Sequence, residues 1–212
     1  ISQAKCSIRL LVACSTNVAV DRVLKTLKES GYNDFDRVGV SQSVDKSLRK
    51  HVTKSSTNVV VGSTLASCTS QAMKDQTFQI VFLDECSQQI EPSSLMAMGF
   101  GCKRALLVGD PLQLPPVCKF STIAEKAKDD KVRKQKGVAD FDYIRGVERA
   151  MFVRLQDSAK ISKIMLRIQY RLHPVLSKIP NELFYQNMLK DGVTENDRKP
   201  LIRLKPLVAY DC

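Results

Sequence analysis

The sequence predicts an α/β layered domain in which helices flank a parallel sheet. Three observations lead there. Four short apolar runs are near-continuous instead of alternating, which marks strands buried on both faces. The stretches between them carry apolar residues at helical spacing. Of the 212 residues, 43% are hydrophobic, enough to bury a core. Strands and helices alternating at this pace build a parallel sheet.

The first run is "IRLLVAC" (8–14). "NVAVDRVLKTLKESG" comes next, with Val20, Val23, Leu24 and Leu27 on one helical face and Gly31 as the expected C-cap. The second run is "NVVVGS" (58–63) and the third "IVFLD" (80–84). "PSSLMAMGF" (92–100) is a short helix with Pro92 suited to its first turn. The fourth run is "RALLVGD" (104–110). "EKAKDDKVRKQKG" (125–137) is charged and apolar-poor, a solvated loop or exposed helix. "VERAMFVRL" (147–155) returns to helical spacing, and "KIMLRIQYR" (163–171) reads as a new strand. "SKIPNELFYQNML" (177–189) is expected to be a helix beginning near Pro180, with Leu183, Phe184 and Met188 toward a core. A domain boundary is expected near residue 157.

Thirty-three Lys and Arg against 22 Asp and Glu give a formal charge of +11. That balance favours a polyanionic partner, nucleic acid ahead of an acidic membrane surface. No apolar stretch approaches the ~18 residues that a membrane span needs. The chain opens without an initiator Met or a charged-then-apolar leader, so it is expected to be a piece of a longer protein. Its seven cysteines are odd in number and form no C-x-x-C pair. They read as reduced, packed thiols, not as a disulfide frame or a zinc site.

Ligands of open α/β sheets sit beyond the carboxyl ends of the strands. "VFLDECSQQ" (81–89) delivers Asp84 and Glu85 to such an end, and "LLVGD" delivers Asp110 to another. Carboxylates at two strand tips suit a divalent cation and a phosphate chain. Nucleotide hydrolysis uses one acid to hold Mg²⁺ and a neighbour to take a proton from the attacking water. Gln113, three residues after Asp110, has an amide able to sense a γ-phosphate. A lone Asp-Glu pair after a strand is usually an exposed strand end, so the combination carries the reading.

"VFLDECSQQIEP" and "LLVGDPLQLPPV" resemble motifs II and III of superfamily 1 helicases of the up-frameshift branch. That branch has D-E-[AC]-[ST]-Q followed by E-P, and then G-D-x-x-Q-L-P-P. "CSTNVAVDRVL" (14–24) resembles its motif Ia, and "VVVGSTLASC" (59–68) stands where the next motif lies. "QYRLHPVLSKIPNELFY" (169–185) resembles the Q-Y-R-M-H-P motif that opens the second RecA-like lobe. Within the branch, "LFYQNMLKDGVTENDRKPL" (183–201) is most similar to the DNA helicases that carry a GRF-type zinc finger.

The resemblance implies a RecA-like P-loop NTPase helicase core. Residues 1–157 would be the remainder of the first lobe and 158–212 the start of the second. ATP and Mg²⁺ are the implied cofactors, with Asp84 holding the metal through water and Glu85 as general base. Gln113 would couple the γ-phosphate to lobe movement. Arg171 would neutralise charge on that phosphate, with Gln169 and Tyr170 shaping the cleft. His173 is expected to be structural. Thr16, Asn17, Ser63, Thr64, Pro115 and Pro116 would face single-stranded nucleic acid, DNA favoured over RNA. Thr16 and Asn17 also suit an ordinary helix start. A P-loop, G-x-x-x-x-G-K-[ST], is absent from residues 1–212. Leu172 stands where Met is common, and Cys86 where Ala is common. The implied function is ATP-dependent 5′→3′ translocation in the nucleus, with the cytoplasm possible, in DNA repair or replication. An RNA helicase and a truncated, non-catalytic binding module are the alternatives.

Overall fold

The structure is a computed structural model and describes residues 8–117, 149–158 and 161–199. The chain divides into two compact units, Ile1–Ala159 and Lys160–Cys212. The charged stretch 125–137 lies outside the described residues.

The first unit holds a five-stranded sheet. Its strands are β1 (Leu10–Cys14), β2 (Phe35–Val38), β3 (Val60–Thr64), β4 (Ile80–Leu83) and β5 (Arg104–Leu107). Their order is β2-β3-β1-β4-β5 and every pairing is parallel. All four predicted strands are present, but β5, at the sheet's edge, is largely exposed instead of buried on both faces. β2 is additional, because "FDRV" carries two charges and does not read as an apolar run. Its four residues are nonetheless buried.

Helix α1 (Asn17–Glu29) begins at Thr16, whose Oγ1 accepts from the Ala19 N–H at 3.2 Å. Val20 and Leu24 are buried against β3. A Cβ on Gly62 would lie 2.7 Å from Leu24 Cδ1, so that glycine lets the helix approach the strand. The helix ends in a Schellman turn: Tyr32 N–H donates to Leu27 O and Gly31 N–H to Lys28 O. Gly31, at φ +93°, supplies the left-handed residue just after the cap. Helix α2 (Glu91–Met98) has Pro92 in its first turn, as expected. Helix α3 (Met151–Ser158) is tied to α2 where Arg154 grips Glu91 in two hydrogen bonds, 2.8 and 2.6 Å.

Side chains alternate along each strand, so the core divides between the sheet's two faces. Leu11, Val61, Val81 and Leu83 belong to one cluster with Phe78 and Met73. Val12, Val20, Leu24, Phe35 and Leu48 form the other. Cys14, Cys68 and Cys86 are buried free thiols, and Cys102 is half-buried. Burial pushes the Cys14 and Cys86 thiols up to about 12, so both are protonated and unreactive. Cys6, Cys118 and Cys212 lie outside the described residues.

The second unit contains β6 (Ile168–Gln169), α4 (Pro174–Leu183) and β7 (Lys190–Asp191), with β6 and β7 paired in parallel. Here the structure differs from the sequence-based expectation. The strand over 163–171 contracts to two residues. The helix starts at Pro174, with Pro180 inside it. His173 caps it, its Nδ1 accepting from Val175 N–H at 3.1 Å, and Pro174 occupies the first turn, where a missing N–H costs nothing. Leu183 and Phe184 are exposed instead of facing a core. Among the described residues, no helix is long and apolar enough to cross a membrane.

Arg37 of β2 is fully buried, and each of its three guanidinium nitrogens donates a hydrogen bond. Nε donates to Asp21 Oδ1 at 2.8 Å, Nη2 to Asn17 Oδ1 at 2.7 Å and Nη1 to Val38 O at 2.5 Å. Asp21 uses its second oxygen to accept from Asp45 N–H at 2.8 Å. Replacing one partner of a buried ion pair strands the other charge. Arg37→Met is therefore expected to destabilise the sheet's β2 edge by about 3–5 kcal/mol. Hydrogen exchange at the amides of α1 and β2 measures this, and unchanged protection there would contradict it.

Candidate active site

The parallel register brings several loops to one edge of the sheet. Leu83 pairs with Ala13 of β1 and with Leu107 of β5, and Cys14 pairs with Thr64 of β3. The segments after these strands therefore line the carboxyl edge in a fixed order. Thr64 stands at one side, Thr16 and Asn17 come next, then Asp84 and Glu85, then Asp110 and Gln113.

Asp84 is anchored at the end of β4 by its N–H, which donates to Ala13 O at 3.2 Å. Its Oδ1 accepts the Glu85 N–H at 3.0 Å, and its carbonyl accepts from Gln89 Nε2 at 3.0 Å. Gln89 is buried and is braced in turn by Ser94. Glu85 is left-handed, at φ 53° and ψ 34°, a conformation that a non-glycine residue holds only where its surroundings enforce it. Its Oε2 accepts from Gln88 Nε2 at 3.2 Å. Asp84 Oδ2 and Glu85 Oε1 have no hydrogen-bond partner among the described residues.

The neighbouring loop is attached to this one. Val108 O accepts from both Cys86 N–H and Cys86 Sγ, each at 3.0 Å. Asp110 N–H donates to Ser87 Oγ at 3.0 Å. The Asp110 carboxylate then orders the next turn of its own loop: its Oδ1 accepts from Leu112 N–H at 3.0 Å and its Oδ2 from Gln113 Nε2 at 2.9 Å. Gln113 is exposed, as is Pro115, while Pro116 is half-buried.

Of the residues expected to face nucleic acid, Thr16 is exposed and caps α1. Asn17 is half-buried and holds Arg37. Ser63 and Thr64 depart from the expectation that their side chains face a phosphate. Ser63 is fully buried and its hydroxyl donates to Thr64 O at 3.0 Å. Thr64 donates to Ser67 Oγ at 2.8 Å and accepts from Ser67 N–H at 3.1 Å. The alternation of β3 turns Ser63 inward, and the turn at Ser67 uses both capacities of Thr64.

In the second unit, Gln169 is the brace of its loop. Oε1 accepts from Arg171 N–H at 2.9 Å and Leu172 N–H at 2.8 Å. Nε2 donates to Leu172 O at 3.0 Å and to Asp191 Oδ1 at 2.5 Å. The amide's four hydrogen-bonding positions are thereby filled. The Gln169 side chain is thus committed to its own loop, and it shapes the segment that presents Tyr170 and Arg171. Arg198 reaches the carbonyls of Tyr170 and Arg171 from the other side. Tyr170 and Arg171 are exposed, and the Arg171 guanidinium has no ion-pair partner among the described residues.

Two family models, each described as an AAA domain, match residues 40–121 and 147–212. The mouse (Mus musculus) 5′-3′ DNA helicase ZGRF1 is 33% identical over 247 residues, covering 95% of this chain and 12% of that protein. Helicase SEN1 of Saccharomyces cerevisiae is 36% identical over 135 residues, 63% of this chain and 5% of the relative. A Regulator of nonsense transcripts 1 homolog from Neurospora crassa is 28% identical over 189 residues, 87% of this chain and 15% of the relative. The chain belongs to the up-frameshift-like superfamily 1 helicases. Its parallel sheet with flanking helices is the RecA-like architecture of a helicase fragment, and it spans a small part of each of these relatives.

In this helicase fragment, three long-range contacts support candidate site residues, and their pairing escaped the sequence. Arg37 holds Asn17, Ser87 holds Asp110, and Asp191 holds Gln169, each across 20 residues or more. Ser87 stands in the D-E-C-S-Q motif, but nothing in that motif names Asp110 as its partner.

Asp191 also accepts from Ser177 Oγ at 2.6 Å. The hydrogen bonds from Ser177 and then Gln169 hold its carboxyl below the ordinary carboxylate value. A lowered folded value means that its contribution is complete above the unfolded value of about 3.9 and is lost as pH falls below that through the folded one. The protection factors of the Arg171 and Leu172 amides are expected to stay high near neutrality and fall only on that acid side. Asp191→Asn is expected to remove this acid dependence; its persistence in the variant would assign it to another group.

Proposed function

We propose that the full-length protein is an ATP-dependent 5′→3′ helicase acting on single-stranded nucleic acid, DNA ahead of RNA, in the nucleus. The observation that carries the reading is the hydrogen-bonded union of the Asp84–Glu85 loop with the Asp110–Gln113 loop at one sheet edge. The mouse DNA helicase supports DNA as the strand. In this reading residues 1–157 are the remainder of the first lobe and 158–212 begin the second.

The donor set fits a magnesium-bound triphosphate. Asp84 presents a free carboxylate oxygen at a strand tip, a hard ligand of the kind that Mg²⁺ takes. Among the described residues no three His, Cys, Asp or Glu side chains converge on a metal site. That suits an ion held mainly by water and phosphate, with one carboxylate from the protein. When bound, Mg²⁺ supplies charge neutralisation along the phosphates.

Glu85 takes the proton of the attacking water at its free Oε1, while Gln88 holds Oε2 and fixes the plane of the carboxylate. Gln113, held by Asp110 through one amide hydrogen, presents the rest of its amide to the γ-phosphate. Arg171, poised on the braced 169–172 loop, neutralises developing charge there. Thr16 and Asn17 meet the strand's phosphates through the start of α1, where backbone N–H groups point outward. The exposed loop at Pro115 and Pro116 offers a further contact. Residues 1–212 contain no G-x-x-x-x-G-K-[ST] loop to grip the β and γ phosphates.

Glu85→Gln in the full-length protein is expected to keep ATP binding and lower turnover by about 10²–10⁴-fold. Normal turnover would remove Glu85 from the role of base. Arg171→Ala is expected to cut kcat by ~10³-fold with nucleic-acid affinity nearly unchanged. A large affinity loss with intact kcat would move Arg171 onto the strand. The isolated 212-residue chain is expected to hydrolyse ATP poorly or not at all. Stimulation of the full-length ATPase by single-stranded DNA against RNA tests the substrate, and stronger stimulation by RNA would reverse the preference.

A further inference from the structure

Two loops must act together in the proposed site, and a side-chain hydroxyl joins them. Ser87 is two residues beyond Glu85 and is 3% exposed. Its Oγ accepts the Asp110 N–H at 3.0 Å. Asp110 in turn holds Gln113 through both side chain and backbone: Oδ2 to Nε2 at 2.9 Å, and the carbonyl to the Gln113 N–H at 3.3 Å. A continuous path therefore runs from Glu85 through Cys86 and Ser87 to Asp110 and Gln113.

The path is short because the loops touch. A Cβ on Gly109 would lie 2.8 Å from Ser87 N and 3.1 Å from Ser87 Cβ and Oγ. The first of these neighbours is backbone and cannot swing away, so a glycine at 109 is what lets the two loops meet. The Cys86 contacts to Val108 O belong to the strand-end ladder and hold the loops at their roots. The Ser87 bond lies farther out and reaches the residue that positions Gln113.

We propose that Ser87 is a positioning residue for hydrolysis, setting where Gln113 stands relative to the Asp84–Glu85 pair. This rests on the ATP-hydrolysis reading. Asp84 is held at the end of β4 by its own backbone bond to Ala13, so ATP and metal binding do not depend on Ser87. Gln113 does depend on it, through Asp110. Loss of the hydroxyl therefore acts on kcat and leaves KM for ATP in place. Misplacement of a catalytic group by an ångström costs up to about a hundredfold in rate, which bounds the expected effect.

The test uses the full-length protein with ATP and saturating single-stranded DNA. Ser87→Ala is expected to lower kcat by about tenfold, with KM for ATP within about twofold. Gly109→Ala, which pushes the loops apart with Ser87 intact, is expected to give the same split; it guards against a Ser87 variant that fails to fold. The deciding measurement is the pair Ser87→Ala and Gln113→Ala. Residues that act through one another are non-additive, so Ser87→Ala is expected to have little further effect once Gln113 is gone. Additive losses, or a rise in KM with kcat unchanged, would overturn the proposal. Glu85→Gln is measured alongside. If it retains turnover, the assignment of Glu85 and its neighbours as the hydrolytic site has failed. If it is inactive and the pair is additive, only the role of Ser87 has failed.

Discussion

Leu83 is paired on one side with Ala13 and on the other with Leu107, and the site depends on that register. Parallel strands in register end at a common edge, with neighbours about 4.8 Å apart. Loops that leave adjacent ends therefore start within reach of a single side chain. Cys86 and Ser87 use this proximity toward Val108 and Asp110. Were β5 shifted by one residue against β4, every side chain on it would change face and Asp110 would leave the hydroxyl that holds it. The acidic pair, the amide at 113 and the start of α1 are thus consequences of one alignment, repeated across β3, β1, β4 and β5.

A second constraint is polar and buried. The Arg37 guanidinium is removed from water, and desolvating such a charge costs several kcal/mol before any partner is met. Asp21, Asn17 and the Val38 carbonyl offset that cost with directional bonds. Apolar side chains of similar volume in place of both Arg37 and Asp21 would fill the space without that penalty. They would not bind Asn17 at the first turn of α1, nor the Asp45 amide that opens a later turn. The network therefore fixes geometry where α1 meets the sheet's carboxyl edge. Asp36, the other charge of β2, is treated alike: it accepts from Ser56, from Thr57 N–H and from the backbone and side chain of Asn58.

These two charges explain why β2 is invisible in the sequence while the other strands are plain. β1, β3, β4 and β5 are apolar runs; the faces of β1, β3 and β4 meet protein, while β5 lies largely exposed at the edge. β2 satisfies its polar groups with partners 16 to 22 residues away, and no local pattern reports that. The start of α4 is hidden for a related reason. Two prolines, Pro174 and Pro180, each suit a helix start. The choice is made by the His173 ring, which caps the helix at Val175, and by Ser177 reaching Asp191 across the unit.

The acidic pair, Gln113 and Arg171 are legible as residues, because D-E after an apolar run, G-D-x-x-Q-L-P-P and Q-Y-R carry their chemistry in local order. So are the alternation of strands and helices and the start of α1 at Thr16, since apolar periodicity and capping are properties of a few neighbouring residues. Tertiary structure alone decided which hydroxyls face outward. Ser63 is turned into the core by strand alternation, Gln169 is consumed in bracing its own loop, and Ser87 meets Asp110 because two strands end side by side. Sequence encodes what a residue can do within its own turn or strand. Whether a donor is free or already taken depends on partners that only the folded register brings near.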